Sequence, residues 1–318
     1  KTNSRNMENS NQKYRLVTRS DFDGLACAIL LKEIDLVDEI KFVHPKDMQD
    51  EIIDITSNDI TTNLPYVKGV YLAFDHHLSE TIRIGGKVDN HIIDPDAPSA
   101  ARVVYDYYGG KDKFPNVKDD IMDAVDKADA GQFSVEEVLF PEKWILLNYI
   151  MDARTGLGRF KKFRISNYQL MMELIDFCRN HTIEEIMELP DVKERTELYI
   201  DHRVKFEDQI KMNSKVYNNL VVIDLTNESI LYTGNRFHKY ALYPKCNISI
   251  VKMWGFQKQN IVFAVGGSII NRTSNTNIGE LMLKYDGGGH FNAGTCQIDI
   301  NDADRVLKEL VATITANG

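Results

Sequence analysis

Cysteine is scarce in this 318-residue chain, and its four copies, Cys27, Cys178, Cys246 and Cys296, lie far apart with no Cys-x-x-Cys pair. That spacing excludes a zinc knuckle and a disulfide framework. Long apolar runs are missing too: none approaches the roughly 20 residues of a membrane span, so no membrane partner is expected. Positive charge is in deficit, with 38 Lys plus Arg against 47 Asp plus Glu, a net charge of -9. A long duplex needs a broad basic footprint, which excludes extended nucleic acid as a ligand of the surface as a whole. Only 8 prolines and 19 glycines interrupt a chain that is 43% hydrophobic and 27% charged, so it is neither disordered nor collagen-like. Residues 1–13 are polar and lack the apolar centre of a signal peptide, and they read as a tail in which Met7 is a candidate start. A reducing cytoplasm is the compartment consistent with these features.

What is present is an alternation of short β-rich runs and helical patterns. Tyr14–Thr18, Ile40–Val43, Ile52–Ile55, Val70–Phe74 and His91–Ile93 are β-prone, while Leu25–Ile34, Ser99–Tyr108 and Val117–Ala128 have helical spacing. Such interleaving predicts an α/β fold with a doubly wound, mostly parallel sheet, in which ligands bind beyond the carboxyl ends of the strands. The text from about 166 to 216 is helical and charged, with one long helix expected over Asp191–Tyr217. Strands then resume at Leu220–Asp224, Ile230–Tyr232, Asn247–Met253 and Asn260–Val265, followed by helices at Asn277–Tyr285 and Ala303–Ile314. The chain exceeds the size at which one core stops growing. We therefore expect a first domain over 14–180, a helical linker over 181–217 and a smaller α/β domain over 218–318.

The charged motifs fall at predicted strand ends. Arg19-Ser20-Asp21-Phe22-Asp23-Gly24 follows the first strand. On an extended segment Asp21 and Asp23 project to the same side and repel unless a cation lies between them, although Asp at a helix start or turn has the same look. Val70–Phe74 ends in Asp75-His76-His77, one carboxylate and two imidazoles, which is a more specific metal signature. Near the end, Asp286-Gly287-Gly288-Gly289-His290 forms a turn whose backbone can approach an anion closely.

Together these segments resemble the DHH phosphoesterases, a group that spans RecJ-like exonucleases, nano-RNases, cyclic-dinucleotide phosphodiesterases, exopolyphosphatases and family II pyrophosphatases. Asp21–Gly24 and Asp75–His77 match the first and third motifs, and Gly287–His290 matches the Gly-Gly-Gly-His signature of the accompanying C-terminal domain. The resemblance implies a two-ion centre holding Mn or Mg, with Asp23 on one ion and Asp21 on the other. It implies a bridging carboxylate, for which Asp59 is the candidate and Asp54 the runner-up. It further implies His76 as a ligand, His77 beside the phosphate with Asp75 in support, and Asp129 from the fourth motif ahead of Asp126 and Asp94. One position departs: most members of the resembled family carry a His just before the first Asp pair, where this chain has Arg19. Arg cannot ligate a metal at neutral pH, so the first ion site is weakened, or Arg19 replaces its charge or clamps a phosphate.

The resemblance also implies that Gly287, Gly288, Gly289 and His290 hold the terminal phosphate or nucleotide of a short substrate. Arg272, Arg236 and His238 are nearby candidates for phosphate contact. The one dense basic stretch, Arg154–Arg164, reads as a charged helix face with buried aromatics, and His202 reads as a surface residue. The implied activity is hydrolysis of short oligonucleotides or dinucleotides, extending to 3′-phosphoadenosine 5′-phosphate. A polyphosphate-directed enzyme and a nucleotide sensor with a decayed metal site are the alternatives. Pyrophosphate is disfavoured because the Lys/Arg-rich motif of those relatives is missing, and a homodimer is left open.

Overall fold

The computed structural model describes residues 11–44, 47–48 and 50–318. The tail reading of residues 1–10, with Met7, lies outside these. The chain divides into two compact units: 1–132 with 142–153 and 161–196, and 133–141 with 154–160 and 197–318. Two segments inside the expected first domain, 133–141 and 154–160, thus group with the C-terminal unit.

The first unit is built on five parallel strands in the order β2-β1-β3-β4-β5: β1 Tyr14–Arg19, β2 Val37–Val43, β3 Asp59–Thr62, β4 Leu72–Asp75 and β5 His91–Ile93. It is the doubly wound α/β sheet that the alternation predicts, and its order reverses between β1 and β3, where such sheets open a crevice for ligands. Helix α1 (Phe22–Glu33) follows β1 directly. Its residues from Phe22 to Leu31 are all buried, as expected of a helix with apolar residues on every face. It packs against α3 (Ala100–Tyr107), α4 (Asp119–Asp129) and α7 (Asn167–Asn180). Gly24 is required for this packing, because a Cβ there would lie 1.9 Å from the Arg19 carbonyl oxygen. The short α2 (Leu78–Ile84), α5 (Val135–Leu139), α6 (Lys143–Met151) and α8 (Ile183–Met187) also precede the long α9 (Pro190–Met212).

The second unit carries a six-stranded mixed sheet, β10-β11-β9-β8-β7-β6, in which only β7 (Leu220–Asp224) and β8 (Ile248–Trp254) run parallel. The others are β6 (Ser214–Tyr217), β9 (Ile261–Gly267), β10 (Gly288–His290) and β11 (Ala293–Ile298). Period-2 alternation sorts its core: Leu220 and Val222 pack with α11 (Ile278–Leu283) and α12 (Ala303–Asn317), while Val221 and Ile223 face Ile210 of α9. A short α10 (His238–Leu242) precedes β8.

Five local expectations differ from the structure. Ile52–Ile55 and Ile230–Tyr232 have no ladder partner and stay irregular. The long helix begins on Pro190, which suits a first helical position, and gives way at Ser214 to β6. Arg154–Arg164 is not a helix: Gly156 at φ +85° breaks it into two single 3-10 turns. Phe160 there packs edge-on to His202, ring centroids 4.3 Å apart. His202 is buried rather than at the surface, its Nδ1 accepting from the Thr233 N–H at 3.2 Å.

Candidate metal centre

The site grows from where strands stop. β1 ends at Arg19, and the chain turns at once into α1, so the Asp21–Asp23 pair is not extended as the sequence alone suggests. Asp21 becomes the N-cap, its Oδ1 accepting from Gly24 N–H at 2.9 Å. Asp23 lies in the first helical turn and is carried inward. The two carboxylates diverge: Asp23 is buried, whereas Asp21 is half-exposed and faces Arg19 Nε at 3.6 Å.

Asp23 is held by backbone. Its Oδ1 accepts from Ala101 N–H at 2.8 Å and its Oδ2 from Ala100 N–H at 3.0 Å, the free donors of the first turn of α3. Ser99 fixes that turn as its N-cap. Asn63, just past the end of β3 with φ +59°, adds its Nδ2 donor to Asp23 Oδ2 at 3.3 Å.

β4 ends on Asp75, and its Oδ1 gathers the next two residues. It accepts from His76 N–H at 2.7 Å, His77 N–H at 3.2 Å and His77 Nδ1–H at 2.7 Å. His77 is thereby held with its proton on Nδ1, half-exposed, its Nε2 available as an acceptor. His76 turns inward, and its Nδ1 donates to the Ala97 carbonyl at 3.1 Å. Its Nε2 lies 2.9 Å from Asp129 Oδ2, out of line for a hydrogen bond, and is buried with no other partner. Asp129 is the last residue of α4.

Among the described residues, Asp23, His76 and Asp129 form one group whose donor atoms all lie within 4.8 Å of one another. Burial, then the nearby Asp129 and Asp21, push the Asp23 carboxyl well above the usual carboxylate range. For His76, burial favours the neutral ring, but Asp129 and Asp23 outweigh it and lift the imidazole to about 9. Excess negative charge around a buried carboxylate is what a cation relieves. The fit can be tested on His76: its buried Nε2 faces only the Asp129 carboxylate, out of line for a hydrogen bond, while Nδ1 is tied to a carbonyl, the arrangement of a metal-ligating histidine. Two carboxylates and one imidazole suit a hard or borderline divalent ion. The residues fit.

Other predicted site residues lie elsewhere. Asp59 opens β3, and since Arg15 pairs with Asp59 in register, it sits at the opposite, amino end of the strands. There Arg15 Nε and Nη2 grip its carboxylate at 2.8 and 3.1 Å, and Thr56 N–H adds a bond at 2.7 Å. Asp59 is thus a satisfied structural carboxylate rather than a bridging ligand. The runner-up Asp54 is exposed at the same end, its carbonyl accepting from Arg15. Asp126 is taken by Arg102 and Ser99, and Asp94 caps a turn at Asp96 N–H. Sequence reasoning missed Asn63. The available signal was a polar residue directly after the β-run Ile60–Thr62, at the carboxyl end where ligands gather.

In the second unit, Gly288–His290 forms the exposed edge strand β10. A Cβ on Gly287 would meet the Thr295 carbonyl oxygen at 2.2 Å, so that glycine permits the tight pairing with β11. His290 Nδ1 accepts from Asn292 N–H at 3.1 Å, which leaves Nε2–H as its outward donor. Arg272 is exposed, and Arg236 is exposed with its guanidinium 4.3 Å from the Phe237 ring. His238 is 2% exposed and its Nε2 bonds Glu207 at 2.9 Å, so it is a buried pin rather than a substrate contact.

Among the described residues no helix is long and apolar enough to cross a membrane. No family model matches the chain, and no curated protein matches it. Among solved structures, the pGpG-specific phosphodiesterase PggH from Vibrio cholerae is 62% identical, with 96% of this chain and 100% of that one covered and a TM-score of 0.88. RecJ from Thermus thermophilus in complex with Mn2+ is 12% identical, with 96% and 52% covered and a TM-score of 0.56. An exopolyphosphatase-related protein from Bacteroides fragilis is 16% identical, with 95% and 92% covered and a TM-score of 0.51. The last two likenesses concern the fold alone.

Proposed function

This chain belongs to the DHH phosphoesterase family, and on that premise we propose that it is a divalent-metal-dependent phosphodiesterase acting on pGpG or a closely similar dinucleotide. The observation that carries the reading is the convergence of Asp23, His76 and Asp129, in a chain 62% identical to a pGpG-specific phosphodiesterase. A divalent ion bound there, Mn or Mg, supplies a Lewis acid for a phosphoryl oxygen and lowers the pKa of a water.

The chain's own residues do the rest. Asp23 and Asp129 would hold the ion by charge, while the α3 N-terminus keeps Asp23 from rotating away. Asp75 fixes His77 so that its Nε2 can take a proton or, once protonated, meet a phosphoryl oxygen. In the second unit, Gly287, Gly288, Gly289 and His290 offer an exposed edge with a histidine donor, a candidate contact for a phosphate or nucleotide, and Arg272 and Arg236 are exposed cations of the same unit. In the reaction a water adds to phosphorus, the bond from phosphorus to the 3′ oxygen breaks, and pGpG gives two GMP.

Chromatography of products after incubation with manganese and pGpG, a five-residue RNA, polyphosphate and 3′-phosphoadenosine 5′-phosphate tests this. GMP from pGpG at the fastest rate is expected. Preference for polyphosphate, or no hydrolysis of any substrate, would overturn the reading.

A further inference from the structure

We infer that this chain carries a single divalent cation, and that the Arg19 guanidinium, set beside Asp21, supplies the positive charge a second ion would otherwise bring. This rests on the phosphodiesterase reading and concerns the number and identity of the charges at its site.

The donor inventory decides the count. A protein-held cation needs several oxygen or nitrogen donors converging on one point. Asp23, His76 and Asp129 meet that need once, and among the described residues no second group of three does. The carboxylates that could build a neighbouring site do not join the three donors that lie within 4.8 Å of one another, and each has an oxygen engaged elsewhere. Asp21 Oδ1 caps α1 through Gly24 N–H, and its Oδ2 faces Arg19. Asp75 Oδ1 is taken by two backbone N–H groups and His77. The position past β3 holds Asn63, a neutral amide, and the acid of that strand, Asp59, lies at its far end in the grip of Arg15.

The charges agree with the count. Four carboxylates line the site: one divalent ion and the Arg19 guanidinium offset Asp21, Asp23 and Asp129, while Asp75 is answered by two backbone N–H groups and His77. A second dication would have to settle next to Arg19, and repulsion between like charges a few ångströms apart opposes it. Arg19 remains about one-third exposed, so its fork can engage a phosphate as well as Asp21, which a buried ion pair could not do. It thereby acts as a fixed charge for the phosphodiester and needs no metal to be recruited.

The test uses the full chain loaded with manganese, dialysed and analysed for metal content, with the electron paramagnetic resonance spectrum recorded alongside. One manganese per chain and the six-line signal of an isolated ion are expected. Arg19→Gln should keep that stoichiometry and bind manganese within about threefold of the parent, while kcat on pGpG falls about 100-fold and Arg19→Lys restores part of it. Two manganese per chain, an exchange-coupled spectrum, or Arg19→Gln turning over like the parent would overturn the inference and leave the phosphodiesterase reading standing. No bound manganese at all would overturn both.

Discussion

The two ends of the parallel sheet each bury an aspartate, and the contrast between them separates a structural charge from a chemical one. At the amino end, Asp59 is 3% exposed and fully answered by Arg15 and the Thr56 backbone. At the carboxyl end, Asp23 is as deeply buried but has no guanidinium in its grip: burial, then the neighbouring Asp129 and Asp21, drive its pKa up. Both aspartates belong to the same pair of strands: Asp59 opens β3 beside Arg15 of β1, and Asp23 follows β1 and meets Asn63 just past β3. Burial of a carboxylate therefore marks nothing by itself; a buried carboxylate whose charge is left unbalanced marks where a cation belongs.

The contrast can be broken most directly by exchanging which aspartate matters. His76→Ala should abolish manganese binding and lower pGpG turnover by about 10³-fold, whereas Asp59→Asn should keep both. Manganese lost from the Asp59 variant in a calorimetric titration would put Asp59 back among the ligands. Next in size, Arg15→Ala strands the Asp59 carboxylate and should cost about 3 kcal/mol in urea unfolding, with turnover unchanged below the transition.

A smaller effect sharpens the carboxyl end through pH. The His76 imidazole is raised from 6.5 to about 9 in the metal-free fold, against burial, by Asp129 and Asp23. Its contribution to metal-free stability is therefore complete below pH 6.5 and fades as pH rises through about 9. Manganese must expel that proton, so affinity should climb over the same interval by up to about tenfold per pH unit. A flat titration profile from pH 6.5 to 9 would show that His76 is not a ligand. Smallest of all, Ser99→Ala removes the N-cap of the helix that cradles Asp23 and should lower the thermal stability by about 1 kcal/mol.

Much of this was legible before any coordinates. The interleaved periodicities announce the parallel sheet, and Asp21, Asp23, His76 and Asp129 stand out because each sits where a strand or helix stops. The errors have a common cause. Asp59 and the position of Asn63 lie at two ends of one four-residue strand, and nothing local tells which end shares a rim with Asp23. That depends on the register that sets Arg15 against Asp59. His202 and His238 read as surface or ligand-facing residues, yet partners 31 residues away in the chain, Thr233 and Glu207, bury them.

The amino-acid order alone determined the α/β class, the glycine behind the first strand, the placement of charged residues at element ends, and the arginine just before the first aspartate pair. Those features depend on neighbours within a few residues, through period, capping and steric fit. Tertiary structure decided which carboxylates meet and which are neutralised. Coulomb energy depends on distance in space, and strand register together with the turn into α1 sets that distance for Asp21, Asp23 and Asp59.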